Sequence, residues 1–122
     1  MDFILLLGKV LFGGYFIYGG INHFLNLKMM TGYAQMKGVP IPSIAVPLTG
    51  VLILAGGLSL LFDFYPFYGC LAIILFLLPT TLMMHNFWSV QDPQQKMGDQ
   101  INFFKNMALL GAALMLSDLL VK

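Results

Sequence analysis

Long apolar runs separated by short polar stretches organise this chain. The runs cover residues 3–24, 44–62, 67–87 and 101–121, and each approaches the roughly 20 residues that an α-helix needs to cross a bilayer core. Residues 25–43 carry Lys28, Lys37, Gly38 and Pro40-Ile41-Pro42, a stretch that cannot continue a helix and reads as a loop lying at the interface. Residues 63–66 leave room only for a tight turn, so the second and third runs form an antiparallel hairpin. Residues 89–100, with Asp92, Pro93, Lys96, Gly98 and Asp99, read as a second polar loop. The first run lacks the basic start and small-residue cleavage site of a secretory signal, so it is read as retained. The expected fold is all-α: a transmembrane four-helix bundle, up-down-up-down, with both termini on the same side and residues 1–122 forming a single membrane domain.

Composition agrees. The 122 residues are 59% hydrophobic and 9% charged, with a mean hydropathy of +0.87, whereas soluble domains carry about 25% charged residues. The cations are all Lys and the acids all Asp, with neither Arg nor Glu present. Without Glu there is no Glu-x-x-His di-iron bundle, and without Arg there is little basis for bidentate phosphate or nucleic-acid recognition. Cys70 is the single cysteine, which argues against a dithiol oxidoreductase.

Counting crossings assigns the charges to two sides. Side A, with the termini and the 63–66 turn, holds Lys9 and Lys122; side B, with the two longer loops, holds Lys28, Lys37, Lys96 and Lys105. That lysine excess places side B in the cytoplasm by the positive-inside tendency. Lys9 lies within the first run, where a lone lysine costs on the order of 3 kcal/mol; it is expected to snorkel or to pair with Asp63 or Asp118.

Polar and small residues inside spans face other helices or a cavity. Helical spacing groups Gly8, Phe12, Tyr15, Gly19 and Asn22 on the first helix, Ala45, Thr49, Gly56, Ser59 and Asp63 on the second, and Asn102, Asn106, Ala113 and Ser117 on the fourth. On the third, Thr81, His85 and Trp88 are neighbours one turn beyond Pro79, whose freed carbonyl is expected to be covered by Thr80 or Thr81. Helix packing accounts for most such stripes, and Trp88 and Tyr33 suit interfacial anchors.

The two histidines, His23 and His85, fall at the side-B ends of the first and third runs, and Lys105-Asn106 opens the fourth at the same level. One polar cluster is implied: Asn22, His23, His85, Asn86, Trp88, Gln100, Lys105 and Asn106. It could be a hydrogen-bonded layer that holds the bundle ends together. It could instead seat a quinone head group, with histidine and asparagine at the carbonyl oxygens and Phe87 and Trp88 flanking the ring. A third option is a haem with His23 and His85 as axial ligands. Zinc fits less well, since it wants about four ligands and only Asp92 or Asp99 stands near to assist.

Several segments together resemble the DoxX family across nearly the whole chain: Gly20-Ile21-Asn22-His23-Phe24, Val39-Pro40, Gly56-Gly57, Leu78-Pro79, His85-Asn86-Phe87-Trp88, and the run from Phe104-Lys105-Asn106 to Gly111. The resemblance implies a four-helix integral membrane protein in which Asn22, His23, His85, Trp88, Lys105 and Asn106 match the signature. The family is named for a small component associated with archaeal quinol oxidase and thiosulfate:quinone oxidoreductase; related members are components of membrane redox assemblies, and a distant eukaryotic relative is a cargo receptor. The expectation is a quinone-linked redox accessory subunit of a bacterial or archaeal cytoplasmic membrane, in contact with the lipid bilayer and a redox partner subunit or a second copy of itself. At most it is one component of a membrane oxidoreductase complex, since these residues alone could not oxidise a sulfur substrate or reduce oxygen. The alternative is a non-enzymic scaffold or assembly subunit whose His/Asn cluster is a structural clasp; a small-solute carrier is disfavoured by the absence of an inverted repeat.

Overall fold

The computed structural model describes residues 2–121; Lys122, counted above on side A, lies outside the described residues. Five α-helices follow in order: α1 (Asp2–Leu25), α2 (Leu27–Met36), α3 (Pro42–Phe62), α4 (Pro66–Met84) and α5 (Pro93–Leu120), with a single 3-10 turn at Phe87–Ser89. Four segments are long and apolar enough to cross a membrane: Asp2–Leu25, Pro42–Phe62, Pro66–Ser89 and Pro93–Leu120. Most of their apolar surface points outward. Leu11, Leu48, Leu75 and Met115 are all largely exposed, a surface that hydrocarbon satisfies and water does not.

Packing follows the order α1–α3–α4–α5, with α2 laid against α3. Glycines set the closest approaches. A Cβ on Gly57 would stand 2.6 Å from the Gly13 carbonyl oxygen, and one on Gly20 would stand 2.9 Å from that of Gly50. These contacts let the α1 and α3 backbones touch in antiparallel register, which is how membrane helices gain contact without a hydrophobic driving force. The core, spanning α1, α3, α4 and α5, comprises Phe16, Ile53, Leu60, Cys70, Ile73, Leu77, Leu110 and Ala113. At the far end Lys9 Nζ approaches Asp63 Oδ1 at 3.9 Å, the expected pairing. The 63–66 turn is as tight as expected, and Ser59 Oγ donates to the carbonyls of Phe64 and Tyr65 that it exposes.

Three expectations need correction. Residues 25–43 are not all loop, because nothing between Leu27 and Met36 breaks a helix. α2 ends at Met36, and Gly38, with a φ of 83°, reverses the chain, its N–H donating to Gln35 O and that of Val39 to Ala34 O. The 89–100 stretch is also mostly helical. Asp92 caps α5 by accepting from Gln95 N at 3.0 Å, and Pro93 occupies the first turn, where its missing N–H costs nothing. Finally, the inward face of α1 is Gly13, Phe16, Gly20 and His23, offset from the expected stripe, and Gly8 and Tyr15 are exposed. The close glycine contacts with α3 determine that rotation.

A candidate ligand cavity and an adjoining ion-pair clasp

Because α1 leans on α3 and α5 on α4, the space between α1 and α5 is not closed by direct packing. A partly open cavity of about 550 Å³ lies there at the His23 end of the molecule. Its walls are mostly apolar: Phe16 and Gly19 of α1, Val46 and Ile53 of α3, and Phe76, Leu77 and Met83 of α4. Met30, Tyr33 and Ala34 of α2, with Val39 and Pro40, also line it. Pro79 is in the lining, so the helix breaker of α4 faces the space.

Five of the eight residues of the expected cluster line this cavity: Asn22, His23, His85, Lys105 and Asn106. His23 is 8% exposed, and its Nδ1–H donates to the Gly19 carbonyl at 2.7 Å. That bond fixes the ring against its own helix and leaves Nε2 as the nitrogen available to a ligand. Asn22 Oδ1 accepts from Asn26 Nδ2, and the Asn22 amide N–H groups have no acceptor among the described residues. Asn106 is 6% exposed, and its side chain makes no hydrogen bond among the described residues. Lys105 Nζ sits 5.4 Å from the centroid of Tyr15, another lining residue, and meets no carboxylate among the described residues.

The other three, Asn86, Trp88 and Gln100, stand apart. Asn86 belongs to a neighbouring network centred on Lys37, expected only as a loop charge, and Asp99, expected as a loop charge that could at most assist a zinc ion. Lys37 Nζ donates to Asp99 Oδ2 at 2.8 Å and to Asn86 Oδ1 at 2.9 Å, while His85 Nδ1 approaches Asp99 Oδ1 at 3.5 Å. The Lys37 and Asp99 side chains are 7% and 6% exposed, so this is a buried ion pair tying the end of α2 to α5. Trp88 lies outside the cavity and is largely exposed. After α4 ends at Met84 the 3-10 turn swings Phe87 and Trp88 onto α5, with ring centroids 5.4 and 5.6 Å from Phe103. Neither ring can flank a ligand from there. Gln100 is exposed, and Tyr33, expected as an interfacial anchor, is half-buried and lines the cavity. Thr81 does not cover the carbonyl freed by Pro79, since its buried Oγ1 has no partner.

A legible signal for Asp99 existed. Asp92-Pro93 is a helix-start signature, and a helix begun there puts Asp99, Asn102, Asn106 and Ala113 on one stripe, of which Asp99, Asn106 and Ala113 are buried. Lys37 had no such signal.

These features define a multi-pass helical membrane protein with a polar-tipped apolar cavity at one end of the bundle. The DoxX sequence model matches residues 4–86, well over half of the chain, and the protein belongs to the DoxX family. The matched segment includes Asn22, His23, His85 and Asn86 but stops short of Trp88, Lys105 and Asn106. No curated protein and no solved structure matches the chain.

Proposed function

We propose that this DoxX protein is a quinone-linked accessory of a membrane redox assembly and that the cavity between α1 and α5 seats the quinone-class ring. The carrying observation is Asn106, whose side-chain amide makes no hydrogen bond among the described residues and opens onto a mostly apolar cavity. An unpaired amide opening onto apolar walls is a hydrogen-bond donor placed for a ligand oxygen. A flat apolar ring with oxygens at opposite ends suits such a lining, with Lys105, Asn22 and Asn106 supplying N–H donors and Phe76 and Met83 apolar contact. In this reading the chain forms one membrane unit, crosses up-down-up-down with both termini on one face, and relies on a partner subunit for electron transfer.

Titration of the purified protein with a decyl-substituted benzoquinone tests the proposal, alongside mass spectrometry of co-purifying lipid. Saturable binding that weakens in Asn106→Leu supports it. A folded protein that binds no quinone and carries none in its extract refutes it, and a Soret band in the purified protein would assign the space to haem between His23 and His85 instead.

A second reading, the non-enzymic scaffold, draws on the Lys37–Asp99 pair. A buried ion pair joining α2 to α5 is a structural clasp in its own right and requires no ligand. On that reading Asn106→Leu leaves the activity of the assembled partner intact, while loss of the clasp lowers the folded yield.

A further inference from the structure

We infer that the cavity prefers the hydroxyl-bearing, reduced ring of the quinone class to the carbonyl-bearing oxidised ring, an inference that rests on the quinone reading above. The observation is which histidine nitrogens are already engaged. His23 Nδ1 lies 2.7 Å from the Gly19 carbonyl oxygen, an atom that only accepts, so the Nδ1 nitrogen carries the proton. In a neutral imidazole Nε2 is then a bare acceptor. His85 repeats the arrangement more loosely, its Nδ1 facing Asp99 Oδ1 at 3.5 Å while the other Asp99 oxygen takes the Lys37 ammonium.

Charge favours the neutral ring at His23. Lys105 already brings one cation to the cavity, and no carboxylate is among the lining residues. An imidazolium added to these mostly apolar walls would be an unpaired second charge at membrane depth. The lining therefore offers an acceptor nitrogen from His23 and donor N–H groups from Lys105, Asn22 and Asn106.

A quinone oxygen has lone pairs only. Lys105 and the asparagines can satisfy it, but at a histidine it sets lone pair against lone pair. A quinol oxygen donates and accepts at once. Its O–H can point at a histidine Nε2 while its lone pairs take an N–H from Lys105 or Asn106. A site whose buried acceptor is left unpaired by the wrong partner discriminates strongly, and one such mismatch corresponds to about tenfold in affinity.

The test is anaerobic titration of the detergent-purified protein with the decyl-substituted benzoquinone and, separately, with its quinol. The expected result is quinol binding at least about tenfold tighter, with the preference shrinking toward parity in His23→Gln, whose amide can donate as well as accept. If that variant does not fold, the quinol-to-quinone affinity ratio of the parent protein alone decides the inference. Equal affinities, or tighter quinone, overturn the inference while leaving the quinone reading standing. A folded protein that binds neither form overturns both.

Discussion

Asp99→Asn is the most informative single change, because it removes one charge from the buried pair and keeps the side chain's shape. Lys37 Nζ contacts Asp99 Oδ2 at 2.8 Å and Asn86 Oδ1 at 2.9 Å, and the Lys37 side chain is only 7% exposed. With a neutral amide at 99, the ammonium keeps two oxygen acceptors but loses its counter-charge while still buried. Breaking a buried ion pair from one side destabilises by about 3–5 kcal/mol. The surviving acceptors put this case near the lower end, and about 3 kcal/mol is roughly a 150-fold fall in the folded-to-unfolded ratio. Lys37→Met should cost as much or more, because it strands a carboxylate whose other side-chain contact is His85 at 3.5 Å. The double variant strands no charge and should return to within about 1 kcal/mol of the parent, since an ion pair gains little over a neutral replacement once its desolvation is counted. The assay is equilibrium unfolding in mixed micelles of increasing SDS fraction. Trp88 fluorescence is the readout, its ring packing on Phe87 and Phe103 next to the clasp. An Asp99→Asn protein within about 0.5 kcal/mol of the parent, or a double variant no more stable than either single one, would refute the reasoning.

Two further outcomes follow from packing. Gly57→Ala should destabilise by about 1–3 kcal/mol, because its Cβ would meet the Gly13 carbonyl at 2.6 Å and the backbone nitrogen of Ile17 at 2.9 Å. Gly111→Ala, with nothing within 4 Å, should be neutral or slightly stabilising in the same SDS titration; equal losses at the two sites would contradict the close α1–α3 approach. Thr81→Val should stabilise by about 1 kcal/mol, since Thr81 is 1% exposed and its Oγ1 lacks any hydrogen-bond partner. A lower unfolding midpoint for Thr81→Val would show that the hydroxyl is bonded after all.

Hydropathy and helix breakers made the spans legible, and they also set the limit of the sequence reading. An apolar run shows where a helix crosses lipid, so the second run at 44–62 recovers α3, Pro42–Phe62, almost entirely. It says nothing of the polar turns that extend a helix beyond lipid. The first turns of α5 and all of α2 were therefore read as loop, although Asp92-Pro93 marks a helix start and no proline interrupts residues 27–36. The cost fell on Asp99. A carboxylate in a loop is expected to be solvated, whereas the same residue in the second turn of a helix, on the stripe of Asn106, has to be buried and paired.

The histidines were legible for a different reason. Spans separated by an even number of crossings end at the same level whatever the loops do, and His23 and His85 do line one cavity. What crossing counts could not reveal is azimuth. Depth alone grouped Asn86 and Trp88 with the histidines, but the break in α4 after Met84 turns Asn86 toward Lys37 and the Trp88 ring onto α5. The single cluster divides into a cavity and a clasp that share His85, which lines the one and faces Asp99 in the other. Substitution of His85 therefore perturbs both and cannot separate a ligand site from a structural layer. Asn106 and His23 belong to the cavity alone, and Lys37, Asp99 and Asn86 to the clasp alone. If Asn106→Leu abolishes ligand binding at unchanged stability while Asp99→Asn lowers stability in both bound and free protein, the cavity and the clasp are independent devices, and the scaffold reading describes only the second.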